Sequence, residues 1–140
     1  MSSSPFVPGV ATEGGAETEL HGAAWTGDIE RARVLVAAGA NVNHIDTAGE
    51  PPLHGAAAGG HTAMVEFLIS QGARINAQEN FGLTALHWAA SHGGLETVRA
   101  LIARDADATI RDGHGRTPRD MASTRGGSAI VEFLDSMLDR

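Results

Sequence analysis

Histidine is the residue of this chain with the greatest potential for chemistry, because imidazole binds metals and exchanges protons near neutral pH. Seven histidines are present, and three of them, His21, His54 and His87, follow a leucine at intervals of 33 residues. Metal ligands must converge on one point, whereas equivalent side chains of stacked repeats lie about 10 Å apart. The spacing therefore favours a structural role for these three histidines over a metal or catalytic site.

Other combinations of residues that carry catalysis are missing from the sequence. The chain has no cysteine and no lysine, which excludes disulfides, thiolate nucleophiles and Schiff-base lysines. It has no Gly-x-Ser-x-Gly elbow, no dinucleotide fingerprint and no His-Glu-x-x-His. Asp105, Asp107 and Asp112 lie among arginines, which predicts a solvated rim of salt bridges rather than a cation site. We therefore expect no enzyme, no metal and no cofactor.

Charge and hydropathy narrow the class of partner. Apolar residues make up 42% of the chain, and the formal net charge is -7. An acidic surface repels phosphate backbones, so nucleic acid is a disfavoured partner. No apolar run approaches the ~20 residues of a membrane span, and residues 1–12 resemble a flexible tail rather than a signal peptide. These features predict a soluble, cytoplasmic protein, which we expect to be a monomer.

The 33-residue spacing extends through most of the chain. It also relates four glycines and four leucines, namely Gly27, Gly60, Gly93 and Gly126, and Leu35, Leu68, Leu101 and Leu134. Many columns that coincide at one period indicate a repeat array. The array divides into four units, residues 13–45, 46–78, 79–111 and 112–140. One such unit cannot bury its apolar face alone, but a stack of four can.

The third unit indicates the type of repeat. Residues 82–90 read Gly-Leu-Thr-Ala-Leu-His-Trp-Ala-Ala and resemble the ankyrin signature Gly-x-Thr-Pro-Leu-His-x-Ala-Ala. Residues 72–76 resemble the usual ending of that repeat, and the resemblance covers about residues 13–140. It implies an all-α solenoid of stacked helix-turn-helix units joined by β-hairpin-like turns. It also implies structural histidines and, where the modifying enzyme exists, hydroxylation at Asn43 and Asn76. The implied function is non-catalytic binding of a protein, as a scaffold, an adaptor or an inhibitor.

Local signals predict individual helices and their ends. The second helix of each unit is expected at residues 29–38, 62–71, 95–104 and 129–138, where apolar residues follow helical spacing. Thr84 is expected to cap the first helix of its unit, whereas Pro51 in the same column offers no acceptor. Gly39 and Gly72 occupy a column that requires a positive φ, and Asp105 is its non-glycine member.

The resemblance places the binding surface on the hairpin tips and on the exposed side of the first helices, which line a concave groove. Trp25, Phe81 and Leu83 are large apolar residues in columns that are normally polar, and tryptophan is enriched at binding hot spots. The partner-binding residues predicted on this basis are Trp25, Thr26, Thr47, Glu50, Asn80, Phe81, Leu83, Ser91, His92, His114, Arg116 and Arg125. The alternative for Phe81 and Leu83 is that they pack on each other at a turn.

Trp88 leaves two interpretations open. Its column holds Gly22 and Gly55 in the earlier units. Trp88 either fills the space above Gly55 or forms the wall of a pocket. The second interpretation gives the competing function, a small-molecule or catalytic site built from Trp25, His54, Trp88 and His92.

Overall fold

Four helix pairs follow one another along the chain. The computed structural model describes residues 15–124 and 127–138, and no β-strand occurs within these ranges. The pairs are α1 Gly15–Thr26 with α2 Ile29–Ala37, α3 Pro52–Ala58 with α4 Thr62–Ser70, α5 Ala85–Trp88 with α6 Leu95–Ala103, and α7 Pro118–Thr124 with α8 Ser128–Leu138. Each first helix contacts the first helix of the next pair, and each second helix contacts the next second helix. This is the predicted all-α solenoid.

The second helices begin and end within one residue of their predicted bounds. Asp28 caps α2, because its Oδ1 accepts a hydrogen bond from the Arg31 N–H at 3.1 Å. Gly39 and Gly72 follow α2 and α4 with φ of 104° and 99°. Asp105 has a φ of 71° after α6, and no other non-glycine residue in the described part of the chain has a positive φ. The repeat column thus imposes its backbone conformation on an unfavourable residue.

Leucines from successive units form the core. The most completely buried of them, each at most 1% exposed, are Leu20, Leu53, Leu68, Leu86, Leu101 and Leu134. Alanine pairs at 23–24, 56–57 and 89–90 are also buried, and their small side chains let neighbouring first helices approach closely. Burying one leucine contributes about 1.5–3 kcal/mol. The leucine columns are therefore the main apolar contribution to the contact between units.

One acidic column closes the turns between helix pairs, a feature that the motif analysis missed. Asp46, Glu79 and Asp112 lie 33 residues apart. In each turn one carboxylate oxygen accepts hydrogen bonds from the backbone N–H groups two and four residues further on, at 2.7–3.0 Å. Each tip is consequently held by its own carboxylate, in the manner of an Asx-turn.

Asn43 and Asn76 join successive units from equivalent positions. Asn43 Oδ1 accepts from the Arg74 N–H at 2.9 Å, and its Nδ2 donates to Gly72 O at 3.0 Å. Asn76 Oδ1 accepts from the Asp107 N–H at 2.9 Å. Both amides therefore have a structural use in the array, and their hydroxylation stays a prediction.

The third unit departs from the second at the end of its first helix. α5 continues as a π-turn, Ala89–Gly93. Gly60 has a φ of 71°, but in the third unit the positive φ falls on Gly94, at 99°, and not on Gly93. Gly93 lies against α3 so closely that a Cβ there would overlap the carbonyl oxygen of Ala57. The π-turn lets the backbone pass this contact before it turns.

Candidate functional site

The three leucine-linked histidines each bond to a backbone carbonyl in a loop further along the chain. These hydrogen bonds join His21 Nε2 to Glu50 O at 2.8 Å, His54 Nε2 to Ala77 O at 2.9 Å, and His87 Nε2 to Arg116 O at 2.8 Å. In each case an imidazole N–H donates to a backbone carbonyl. For His21 and His87 this carbonyl belongs to the following unit, and for His54 it lies at the end of its own unit. The geometry agrees with the structural role that the resemblance implies.

His54 differs from His87 because Pro51 precedes it where Thr84 precedes His87. The Thr84 N–H donates to His87 Nδ1 at 3.1 Å, and Thr84 Oγ1 accepts from the His87 backbone N–H at 3.3 Å. Pro51 has neither an N–H nor a hydroxyl. As a result α3 has no side-chain cap, and His54 Nδ1 is buried without a hydrogen-bond partner.

Burial lowers the pKa of both of these histidines. His54 is 1% exposed, and desolvation lowers its pKa to about 4, against the opposing effect of its bond to Ala77. Burial also lowers the pKa of His87. Among the described residues, no group of three or more histidine and acidic side chains is arranged to hold a metal ion. The histidine column therefore serves the fold.

Two of the predicted anchors project from the surface. Trp25 near the end of α1 is 63% exposed, and Phe81 at a turn tip is 66% exposed. At that exposure the Phe81 ring is not buried against Leu83, which is itself half-buried. The Phe81 N–H donates to Glu79 at 2.7 Å, and its carbonyl accepts from the Gly113 N–H at 2.8 Å. The backbone is therefore fixed while the ring faces outward.

Of the seven predicted tip residues, Asn80 and Arg116 already bind within the array through their side chains. Asn80 Nδ2 donates to Thr47 O at 3.1 Å. Arg116 forms an ion pair with Asp112, with 2.8 Å between Nη2 and Oδ2. Thr47 and His114 have exposed side chains. Asn80 and Arg116 thus help to shape the tips, whatever a partner contacts.

The predicted rim of salt bridges is mostly absent from the described residues. Of the three aspartates only Asp112 pairs with an arginine, Arg116. The carboxylate of Asp107 accepts from the hydroxyl and the N–H of Thr109, and these bonds lower its pKa. Asp105 makes no ion pair with the residues that the structure describes. The rim prediction is therefore wrong, because local turn bonds take up a carboxylate that sequence proximity assigns to arginine.

The predicted residues on the helices differ in exposure. Thr26 is exposed, and its hydroxyl donates to a carbonyl of its own helix at 3.0 Å. Ser91 is buried, contrary to prediction, because the π-turn Ala89–Gly93 changes the angular position of its side chains. His92 is exposed, and its Nδ1 lies 2.7 Å from Ser91 Oγ. Arg125 lies outside the described residues.

Three adjoining depressions run along the first helices and the turns. The first, of about 480 Å³, lies beside His21 and Asp46. The second, of about 260 Å³, shares those two residues and extends to Trp25 and Glu50. The third, of about 140 Å³, is lined by Trp25, Glu50, His54, Ala58 and Trp88. We call this third depression the two-tryptophan cavity.

Trp25, rather than Trp88, is nearest to the space at Gly55. The three atoms nearest to a Cβ built at Gly55 all belong to Trp25, beginning with Cε3 at 3.2 Å. The interpretation that Trp88 fills this space is therefore corrected. Trp88 is a half-buried wall of the two-tryptophan cavity, and its ring lies 5.7 Å from that of His92. Of the competing set, Trp25, His54 and Trp88 share one cavity, and His92 adjoins it.

Glu50 gives the two-tryptophan cavity a negative charge. Burial raises the pKa of its carboxyl group, and so do the negative charges of Asp46 and Glu79, while His21 opposes them. The Glu50 carboxylate makes no hydrogen bond and no ion pair with the described residues. It is therefore an acidic group that lies beside two tryptophans and is not paired with any residue of the described part of the chain.

Comparison with known proteins agrees with this architecture. In residues 15–124 and 127–138 no helix has the length and hydrophobicity that crossing a bilayer requires. No curated protein matches the sequence significantly. The family model described as ankyrin repeats (3 copies) matches residues 20–112 and 71–137. Because these matches span most of the sequence, the chain belongs to the ankyrin-repeat family.

Proposed function

We propose that this protein is a non-catalytic interaction module, a scaffold, adaptor or inhibitor, that binds a partner protein through its turn tips and first helices. Ankyrin repeats generally mediate interactions between proteins. The observation that carries the proposal is the exposure of Trp25 and Phe81, 63% and 66%, on backbone that hydrogen bonds hold in place. Tryptophan is among the residues most enriched at hot spots of protein interfaces, and phenylalanine is enriched in interface cores.

The support around both anchors favours binding. The Trp25 carbonyl accepts a hydrogen bond from His61 Nε2 at 3.0 Å, and the Trp25 ring lies over Gly55. Phe81 is held by Glu79 and Gly113. Anchors that are already ordered lose little conformational entropy when a partner docks. One monomer accordingly presents a preformed surface over its first three units.

The volume of the two-tryptophan cavity disfavours a drug-sized ligand between the two indole rings. Pockets for drug-sized ligands have volumes of ~300–1,000 Å³. The two-tryptophan cavity, of about 140 Å³, is smaller and suits a single side chain. The net charge of -7 argues against a nucleic acid in the same place.

Affinity capture from the native source tests the proposal. Wild-type protein and the double variant Trp25→Ala/Phe81→Ala are compared as baits. Val34→Ala is the matched control, because Val34 is 68% exposed but lies on a second helix, α2. We expect one protein to be captured by wild type and by Val34→Ala, and to be lost with the double variant. Equal capture by all three baits would contradict binding through the first helices and tips.

A further inference from the structure

The two-tryptophan cavity has a composition that the fold does not explain. Its walls are the indole rings of Trp25 and Trp88, with Ala58 and the buried His54, and its one acidic group is Glu50. None of its lining residues is basic at neutral pH, because burial keeps His54 unprotonated. The cavity therefore combines aromatic surface with an uncompensated negative charge.

The described residues around Glu50 do little to stabilise its negative charge. Its carboxylate is half-buried and makes no bond to the described residues, while its neighbours Asp46 and Glu79 repel it. The described arginines that form ion pairs, Arg31, Arg33, Arg116 and Arg119, use other carboxylates. A cation from outside would offset both the burial and the repulsion at Glu50.

The two indole rings favour the same kind of ligand. The face of an indole carries negative potential and attracts cations, most strongly where water is excluded. The Trp25 ring approaches Gly55 through Cε3, the Trp25 backbone carbonyl accepts from His61, and Trp88 is half-buried beside His92. The Trp88 ring is therefore partly enclosed before any ligand arrives, and the backbone that carries the exposed Trp25 ring is held in place.

We propose that the two-tryptophan cavity receives an arginine side chain of the partner protein, with its guanidinium group against Trp25 and Trp88 and paired with the Glu50 carboxylate. Guanidinium is planar, stacks on aromatic rings, and presents paired N–H donors that match a carboxylate. It is also less strongly hydrated than the ammonium group of lysine, so it enters a small cavity at lower cost. This proposal rests on the protein-binding function proposed above and names the partner's chemistry.

Titration with single blocked amino acids tests the cavity directly. Acetyl-arginine methylamide is added to ¹⁵N-labelled full-length chain, and acetyl-citrulline methylamide, which is neutral and of the same shape, is the control ligand. The chain has two tryptophans, so two indole N–H signals report on the two walls. We expect both signals to shift saturably with acetyl-arginine methylamide and to stay in place with acetyl-citrulline methylamide. Acetyl-lysine methylamide, a second probe, should cause smaller shifts.

Two protein variants complete the test. Glu50→Gln keeps the shape and removes the charge, and should weaken arginine binding about tenfold, as the loss of a charged hydrogen-bond partner does. Glu66→Gln, on the exposed side of α4, should bind the probe like wild type. Melting of Glu50→Gln checks its folding, which should be unimpaired because an unpaired carboxylate is removed.

The possible outcomes separate this inference from the proposed function. Equal shifts with citrulline, or unchanged affinity in Glu50→Gln, overturn the arginine site. If the arginine probe fails while Trp25→Ala/Phe81→Ala still abolishes capture, the interaction module stands and this inference falls. If the arginine probe binds but wild type and Trp25→Ala/Phe81→Ala capture the partner equally, the proposed interaction module is contradicted. Indole signals that move on dilution without any probe would place a second copy of the chain in the cavity and overturn the proposal.

Discussion

Pro51→Thr is expected to stabilise the protein by completing an interaction that the third unit already has. Thr84 binds His87 through its N–H and its hydroxyl, whereas Pro51 leaves His54 Nδ1 buried and unpaired. The backbone permits the change, because φ and ψ are -80° and 167° at Pro51 and -102° and 172° at Thr84. The new threonine would supply a donor to Nδ1 and a second acceptor for the His54 backbone N–H, which already donates to the carbonyl of residue 51 at 3.1 Å.

The size of the gain is set by two favourable contributions and one unfavourable contribution. A side-chain cap contributes about 1 kcal/mol, and satisfying a buried polar atom avoids a cost of about 1–3 kcal/mol. The loss of proline restores freedom to the unfolded chain and costs about 0.4–1 kcal/mol. These contributions sum to a net gain of roughly 1–3.5 kcal/mol, which corresponds to a rise in Tm of about 3–12 °C for a chain of this length.

Urea unfolding of a set of variants separates these contributions. Pro51→Ala restores only the backbone N–H, so it should recover the donor to His54 but not the cap. Thr84→Pro is the reverse change in the third unit, and should destabilise by removing the cap and leaving His87 Nδ1 unpaired. The slopes of ΔG against urea should be unchanged. If Pro51→Thr brings no gain, and Thr84→Pro no loss, then the histidine contacts contribute little and our account of the second unit is wrong.

Three further predictions concern stability. Asp105→Gly should raise the free energy of unfolding by about 1 kcal/mol, because glycine relieves the strain of a φ of 71°. Gly72→Asp should lower it by a similar amount, since a new Cβ there meets nothing within 4 Å. A loss of stability in Asp105→Gly would contradict the strain argument. The pKa of His54 is about 4 in the folded protein and 6.5 ordinarily, so His54 binds a proton more weakly in the folded state than in the unfolded state. Its contribution to the free energy of unfolding is therefore complete above pH 6.5 and is lost as the pH falls towards 4. Urea unfolding should show a decrease of about 2 kcal/mol from about pH 7 to about pH 5, and pH-independent unfolding would refute this. Leu68→Ala should cost ~2–5 kcal/mol through a cavity, whereas Phe81→Ala should leave Tm nearly unchanged, and strong destabilisation by Phe81→Ala would show that the ring is part of the core.

Features that repeat along the chain were predictable from the sequence. The bounds of the second helices follow from apolar spacing, and the positive φ of Asp105 follows from the glycines that share its column. The absent cap at Pro51 follows from proline chemistry alone. The acidic column of Asp46, Glu79 and Asp112 was visible at the same 33-residue period, and a comparison of acidic positions between units would have found it.

Features that depend on contacts between units were not predictable in this way. The π-turn in the third unit, which buries Ser91, accompanies a close approach of Gly93 to Ala57. The position of Trp25 over Gly55 is likewise a contact between two units. Periodicity records which face of a helix is apolar, but it does not record how closely two backbones approach. The two-tryptophan cavity arises from such contacts. The sequence therefore suggested Trp25, His54 and Trp88 as members of one site, but it gave neither the shape of the cavity nor the position of Glu50 within it.

The way the turn at Phe81 is built has a consequence for how this protein can change over time. Its main-chain N–H and C=O are both occupied, by Glu79 and by Gly113, and its ring takes no part in the core. The side chain at this position is therefore free to vary without endangering the scaffold. Selection, or a designer who randomises position 81, is able to exchange one binding preference for another in single steps, each of which leaves a folded protein.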